Sequence, residues 1–269
     1  MFSHPLHFRR FFHGIASVLL STCGLPVQAD SPTLGLGLTQ YAYREPSLGV
    51  TQDGWLGTVQ ARWAPDNFRI RNWPLTLSGQ ASLGYLDYTG SGNMAHQPTN
   101  IYQLQMESPH TEWVQGYQIS PGIGYRYLYN DARGTTAVGS NTYGGYRRTS
   151  TYVFASLDAE RHFGDNWRAN VQGYYLLAGR QTSNLSDTGG DFASQGPIHN
   201  AQHRGHGFKA GLCKNYQGFD ICSGLEYWHI GASDTYMFSA NNKNHYVFEP
   251  ANNTRSFLFT AHYKLNQFQ

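Results

Sequence analysis

Apolar and polar residues trade places one by one along most of this chain, in stretches about ten residues long separated by turn-forming clusters. In 54–64, Trp55, Val59, Ala61 and Trp63 alternate with Thr58, Gln60 and Arg62, and in 75–85, Leu75, Leu77, Ala81, Leu83 and Tyr85 alternate with Thr76, Ser78, Gln80 and Ser82. Tyr102, Leu104 and Met106 interleave with Gln103, Gln105 and Glu107; Ile119, Ile123, Tyr125, Tyr127 and Tyr129 oppose Gly122, Gly124 and Arg126. Val153, Ala155, Leu157 and Ala159 oppose Ser156, Asp158 and Glu160; Trp167, Ala169, Val171, Tyr175 and Leu177 oppose Arg168, Asn170 and Gln172; Phe257, Phe259, Ala261, Tyr263 and Leu265 oppose Thr260, His262 and Lys264. A period of two is that of a strand with one oily and one polar face.

Ten strands are predicted, near 34–46, 54–64, 74–88, 100–108, 117–130, 146–162, 167–180, 204–216, 219–230 and 255–265. The first has a break in its pattern, because Leu34, Leu36 and Leu38 share one parity and Tyr41 and Tyr43 the other, and a bulge is the expected cause. Connections alternate in length. Tight turns at Gly164-Asp165-Asn166 and Gln217-Gly218, with 65–73 and 109–112, lie on one side; 90–99, 131–145, 181–203 and 231–254 read as long polar loops on the other, with a short one at 47–53.

The segment 210–228 sets a register. With Gln217-Gly218 as a two-residue turn, Tyr216 faces Phe219, Cys213 faces Cys222, Gly211 faces Gly224 and Lys209 faces Glu226. The cysteines then occupy a non-hydrogen-bonded pair, where Cα atoms approach to about 4.5 Å, and a Cys213–Cys222 disulfide is expected.

Two architectures alternate in this way, a soluble β-sandwich and a transmembrane β-barrel whose lipid-facing residues interleave with lumen-facing ones. Mean hydropathy is −0.50, which a barrel tolerates because its alternation averages out. Charged residues make up 13%, against about 25% in a typical soluble domain. Tyr85, Tyr127, Tyr129, Tyr175 and Tyr227 lie toward the long loops and Trp63, Trp167, Tyr216, Phe219 and Tyr263 toward the short turns, as two interfacial girdles would. The expectation is an all-β fold, a closed antiparallel transmembrane β-barrel of ten strands, with both termini on the short-turn side.

Residues 1–29 read as a secretory signal: Arg9 and Arg10, an apolar run from Ile15 to Leu20, then Val27-Gln28-Ala29 before a cut at Asp30. Cys23 follows Leu20-Ser21-Thr22, but Thr22 is larger than a lipoprotein site accepts. Removal leaves 30–269 as one barrel domain with two of the three cysteines, an even number suited to an oxidising periplasm. A formal net charge of +2 implies no general attraction to nucleic acid.

On these strands, and on the segments PGIGYRYLYND (Pro121 to Asp131) and FEPANNTRSFLFTAHYKL (Phe248 to Leu265), the chain resembles a poorly characterised family of proteobacterial outer-membrane β-barrel proteins. The resemblance implies a place in the bacterial outer membrane, contact with its lipids and lipopolysaccharide, and insertion by the barrel-assembly machinery. Phe257, Phe259, Tyr263 and Leu265 look like the signal that this machinery reads, although the chain runs on through Asn266-Gln267-Phe268-Gln269 instead of ending on an aromatic residue in phase.

The expected lumen holds Arg62, Arg126, Arg168, Lys209 and Lys264 with Glu107, Asp158, Glu160, Asp220 and Glu226, a near balance that favours a packed ion-pair network over a selective pore. Lys209–Glu226 is the pair that the hairpin register nominates. His199, His203, His206, His229 and His245 fall near the loop ends, with His206 opposite His229, but two imidazoles without a third ligand do not specify a metal. Arg133, Arg147, Arg148, Arg180, Arg204 and Arg255, with Lys243, gather there too and suit lipopolysaccharide phosphates or an extracellular polyanion. Ten-stranded surface proteases, the omptins, use acidic residues and a histidine at the rim; their paired acidic motifs find no match here, and G-x-S-x-G is missing. The functional expectation is a non-enzymatic structural or adhesin-like surface protein without a cofactor, with a narrow porin and a rim hydrolase as alternatives.

Overall fold

The computed structural model describes residues 32–65, 68–70, 73–134, 145–188, 195–240 and 243–265. The expected signal segment, Cys23 and the last four residues lie outside them. Ten long strands form the wall: β1 (Thr33–Glu45), β2 (Val50–Trp63), β3 (Thr76–Gly90), β4 (Gly92–Pro109), β5 (Tyr117–Asp131), β6 (Arg147–Phe163), β7 (Trp167–Ser183), β8 (Gly205–Tyr216), β9 (Phe219–Ile230) and β10 (Asn252–Lys264). Each pairs antiparallel with its neighbours in sequence, and β10 pairs back to β1 from Thr33↔Lys264 to Arg44↔Asn253, so the sheet has no open edge. The protein is a closed ten-stranded antiparallel β-barrel.

The turn predicted at Gln217-Gly218 forms with both residues at positive φ (51° and 84°), the geometry that matches strand twist in a two-residue hairpin. Cys213 and Cys222 are register partners, disulfide-bonded, with Cα atoms 4.1 Å apart, and all four pairs of the predicted register are present.

Several loop expectations change. Residues 90–99 are not a loop: β3 and β4 run on to a tight turn at Ser91, with Tyr88 and Met94 buried together beneath Val50. A register shift beyond Leu86 hides the alternation there; His96 sits at φ 58° and its N–H donates to Asp87. No bulge occurs in β1, whose pairing is unbroken on both sides. Its parity break has another cause: Leu36 and Leu38 face outward, whereas Tyr41 and Tyr43 are buried in the lumen. A real bulge lies in β7 between Leu176 and Ala178.

The stretch 181–203 holds a short 3-10 helix (Leu185–Thr188) and a strand (Ile198–Gln202) that extends the wall beside β7. Within 231–254, a hairpin pairs Tyr236–Ala240 with Lys243–Val247. Of 131–145, residues 135–144 are outside the described part.

The outer wall is laid in register rows. Tyr216, Phe219, Tyr263 and Leu34 make one row near the turn end, and above it come rows that include Ile221 and Leu36, then Leu212, Phe259 and Leu38, then Leu225 and Phe257, then Phe208 and Tyr227. The ten rises from Tyr216 to His206 cover about 33 Å of strand, or about 25 Å of height at a tilt of about 40°. That is the thickness of the apolar band of an outer-membrane barrel.

Candidate functional site

The lumen divides into two halves. Toward the turn end it is polar: Gln60 donates to Gln80 at 2.7 Å, Gln172 to Glu107 at 2.9 Å, and Arg168 stands 3.5 Å from Asp220 and 3.9 Å from Glu160. Toward the loop end it is filled by aromatic and aliphatic side chains. Phe154, Tyr174, Leu176, Trp228, Tyr152 and Ile230 form one buried cluster, and Tyr41, Tyr43, Leu56, Leu86 and Ile101 another. Tyr174 stacks on Trp228 at 4.7 Å, and Phe154 meets both rings edge-on. Gly124 makes this fit possible, since a Cβ there would run into the Phe154 ring.

Two buried arginines tie this plug to the wall. Arg126 donates to Gln103 at 2.7 Å, stands 3.3 Å from Glu226 and stacks 4.5 Å over Trp228, whose indole N–H in turn donates to Glu226 at 2.7 Å. Arg148 lies 4.3 Å over Tyr43 and donates to its hydroxyl at 2.8 Å; that hydroxyl donates to Glu45, which stands 3.8 Å from Arg148. A cavity of about 60 Å³ remains between these groups. It is far below the roughly 300–1,000 Å³ of an ordinary ligand pocket, and waters there suit Arg126 Nε and Asn130 Oδ1, which have no protein partner.

Above this plug, side chains of the described loop segments bond to the wall and to one another. Glu249, 5% exposed, accepts a hydrogen bond from Ser183, and its backbone exchanges hydrogen bonds with Ser233. Burial pushes the Glu249 carboxyl above its ordinary range, with help from Glu45, against the opposing Ser183 and Gln181 hydrogen bonds and the Arg148 charge. Ala201 N–H donates to Asp234 at 2.6 Å and Asn200 to the Asp234 carbonyl at 3.0 Å, which fastens the 231–251 connection to the wall. On the other side Asp187 takes two hydrogen bonds from the Arg147 guanidinium and one from its backbone N–H. Burial raises the Asp187 carboxyl, but these bonds and the charges of Arg147 and Arg133 outweigh it and hold it below the usual carboxylate range.

Lys209 and Glu226 are register partners, yet among the described residues the ion pair of Glu226 is with Arg126, across the lumen, and Lys209 acts on it only as a more distant charge. The six arginines separate into three kinds. Arg133 and Arg147 are committed to Asp131 and Asp187; Arg148 points inward and is closed off from any external polyanion; Arg180, Arg204 and Arg255 are exposed. The Lys243 side chain is outside the described part. His206 and His229 do stand side by side, with ring centroids 5.2 Å apart, and no metal-binding group of three or more ligands occurs among the described residues. Hydroxyl–imidazole contacts occur at Thr182–His199 and Thr260–His262, each 2.8 Å. Neither histidine has a carboxylate hydrogen-bonded to its other ring nitrogen among the described residues, the third member that an activated nucleophile needs.

Sequence reasoning passed over Glu45, Tyr43, Trp228 and Glu249. A signal for the plug was present: Tyr41, Tyr43, Leu56, Leu86, Phe154, Tyr174 and Trp228 all lie on the polar parity of their strands, and all in the loop-end half.

No protein-family model matches the chain, and no curated protein matches it in sequence. Among solved structures it is similar to the outer membrane protease OmpT from Escherichia coli, at 10% identity over 91% of this chain and 100% of that one, with a TM-score of 0.49. Neisserial surface protein A is similar at 9% identity over 89% and 100% (TM-score 0.37), and outer membrane phospholipase A from Escherichia coli at 13% over 90% and 100% (TM-score 0.32). These neighbours are outer-membrane β-barrels that include enzymes and non-enzymes.

Proposed function

We propose that the protein is a bacterial outer-membrane barrel, with its short turns in the periplasm and its long loops outside, that serves as a structural or surface-interaction protein and not as an open porin. The observation that carries this reading is the sealed loop-end half of the lumen, where the Phe154–Tyr174–Trp228 stack and two buried guanidinium–carboxylate pairs leave only about 60 Å³. The apolar wall, about 25 Å tall between aromatic rows, supports the membrane part. The surface part draws on the 236–247 hairpin and the residue after it, where Met237, Tyr246 and Phe248 are 54%, 67% and 46% exposed.

Planar bilayers test the reading. Wild-type protein is expected to show no conductance steps, and the double variant Phe154→Ala, Trp228→Ala is expected to show them. Steps from the wild type would return the narrow porin to first place. Turnover of peptide or phospholipid by the intact barrel, lost on His199→Ala, would replace the reading by the rim hydrolase.

A further inference from the structure

In the last apolar row of the outer wall and the row above it, β8, β9, β10 and β1 carry a basic patch that the lumen does not explain. His206, His229, Asn253 and Arg44 are successive register partners in one outward-facing row, and Tyr227 and Arg255 are partners in the row beneath. Arg44 and Arg255 are diagonal neighbours across the β1–β10 pair, a spacing of about 7–8 Å that one phosphorylated headgroup can span. Neither forms an ion pair among the described residues; the nearest outward carboxylate by register is Asp53, on β2 beyond Ala42.

The patch is organised before any ligand arrives. Asn253 Oδ1 accepts from the Tyr227 hydroxyl at 2.8 Å and from His229 Nδ1 at 3.0 Å, which pins the Tyr227 ring; the Arg255 guanidinium lies over that ring, 5.8 Å from its centroid. Phe208 stands beside Tyr227 in the Arg255 row, and below it Leu225, Phe257 and Leu38 continue the outer wall, with Gln40 as the polar member of the Phe257 row. The row heights put the Arg44 position about 25 Å and the Arg255 position about 20 Å above the Tyr216 girdle, at the upper margin of the apolar band. Fixed cations immediately above an apolar wall match a ligand that has an anionic head and acyl chains on one molecule, and guanidinium is the group that takes phosphate in a bidentate grip.

We propose that Arg44 and Arg255, braced by Tyr227 and Asn253 and flanked by His206 and His229, form a specific site on the outer wall for the phosphate of a glycolipid in the outer leaflet. The site rests on the outer-membrane reading, and it differs from the loop arginines in facing the bilayer instead of the medium.

The test uses the purified processed chain in detergent and in nanodiscs, with native mass spectrometry scoring retention of bisphosphorylated lipid A, dephosphorylated lipid A, phosphatidylglycerol and inorganic phosphate. Wild type is expected to retain bisphosphorylated lipid A over the other three, and Arg44→Gln, Arg255→Gln to weaken it about tenfold or more. Asn253→Ala, which leaves both arginines, is expected to weaken it partially, and Arg180→Gln, Arg204→Gln, with the same loss of charge, to leave it unchanged. Equal retention by the Arg44/Arg255 variant, equal retention of the dephosphorylated lipid, or an equal loss in the Arg180/Arg204 control would overturn the site while leaving the membrane location intact. A wild-type chain that does not enter bilayers as a heat-modifiable barrel overturns both.

Discussion

Arg126 and Glu226 are nearly withdrawn from solvent, their side chains 8% and 14% exposed. Removing one partner therefore leaves a buried charge without its counterion, which costs far more than the pair contributes by existing. Arg126→Met is expected to destabilise the folded barrel by about 3–5 kcal/mol, and Arg126→Met with Glu226→Gln to recover most of that, as read by urea unfolding in lipid vesicles. At the mouth, two carboxyls respond to pH in opposite senses. Glu249 is raised in the folded state by burial and by Glu45, against Ser183, Gln181 and Arg148. Its anchorage is thus strongest below the unfolded-state value of about 4.3 and is lost as pH rises through the folded value. Asp187 is lowered by Arg147 and Arg133 in spite of its burial, so its contribution is present above about 3.9 and is lost as pH falls through the folded value. A nitroxide at Ser239, on the 236–247 hairpin, should become more mobile between pH 4 and pH 8, and Glu249→Gln should flatten that response.

Within single elements, the β8–β9 hairpin and β7 hold the sharpest consequences. The Cys213–Cys222 bridge closes a ten-residue loop, worth roughly 3 kcal/mol in the chain-entropy picture. Alkylation of the processed protein is expected to add no label before reduction and two after it; a third label would mean that Cys23 had been retained. In β7 the bulge at Leu176–Ala178 changes which parity faces inward, from Gln172, Tyr174 and Leu176 below to Gln181 and Ser183 above. Inserting one residue between Gly179 and Arg180 would turn Ser183 away from Glu249 and drive Arg180 into the lumen, because a one-residue slip exchanges the faces of a strand. The expected result is a barrel that still assembles but whose 231–251 connection becomes accessible to protease.

For the molecule as a whole, closure and occlusion are separate properties. Closure comes from ten paired strands and needs nothing inside. Occlusion depends on the residues that fill the loop-end half, so Phe154→Ala with Trp228→Ala should give conductance without loss of the barrel's heat-modifiable mobility in gels. The polar turn-end half, with Arg168 between Glu160 and Asp220, is left unchanged by that substitution and should continue to hold its side of the lumen together.

Much of the fold was legible in the residues alone. The period-two pattern determined the number of strands in the wall, which face points outward and where the turns of one end fall, and Gln217-Gly218 determined the register that joins the cysteines; all of these depend on neighbours along one strand or across one turn. The mouth hairpin of β3 and β4 escaped notice because a bulge near His96 breaks the period that would have announced it. What the tertiary structure alone decided is which inward groups meet: Glu226 on β9 with Arg126 on β5 instead of its register partner Lys209, Arg148 on β6 with Tyr43 and Glu45 on β1, and Glu249 with Ser183. Those contacts run across the barrel or between its loops, and they exist only once strand tilt and closure bring distant strands face to face.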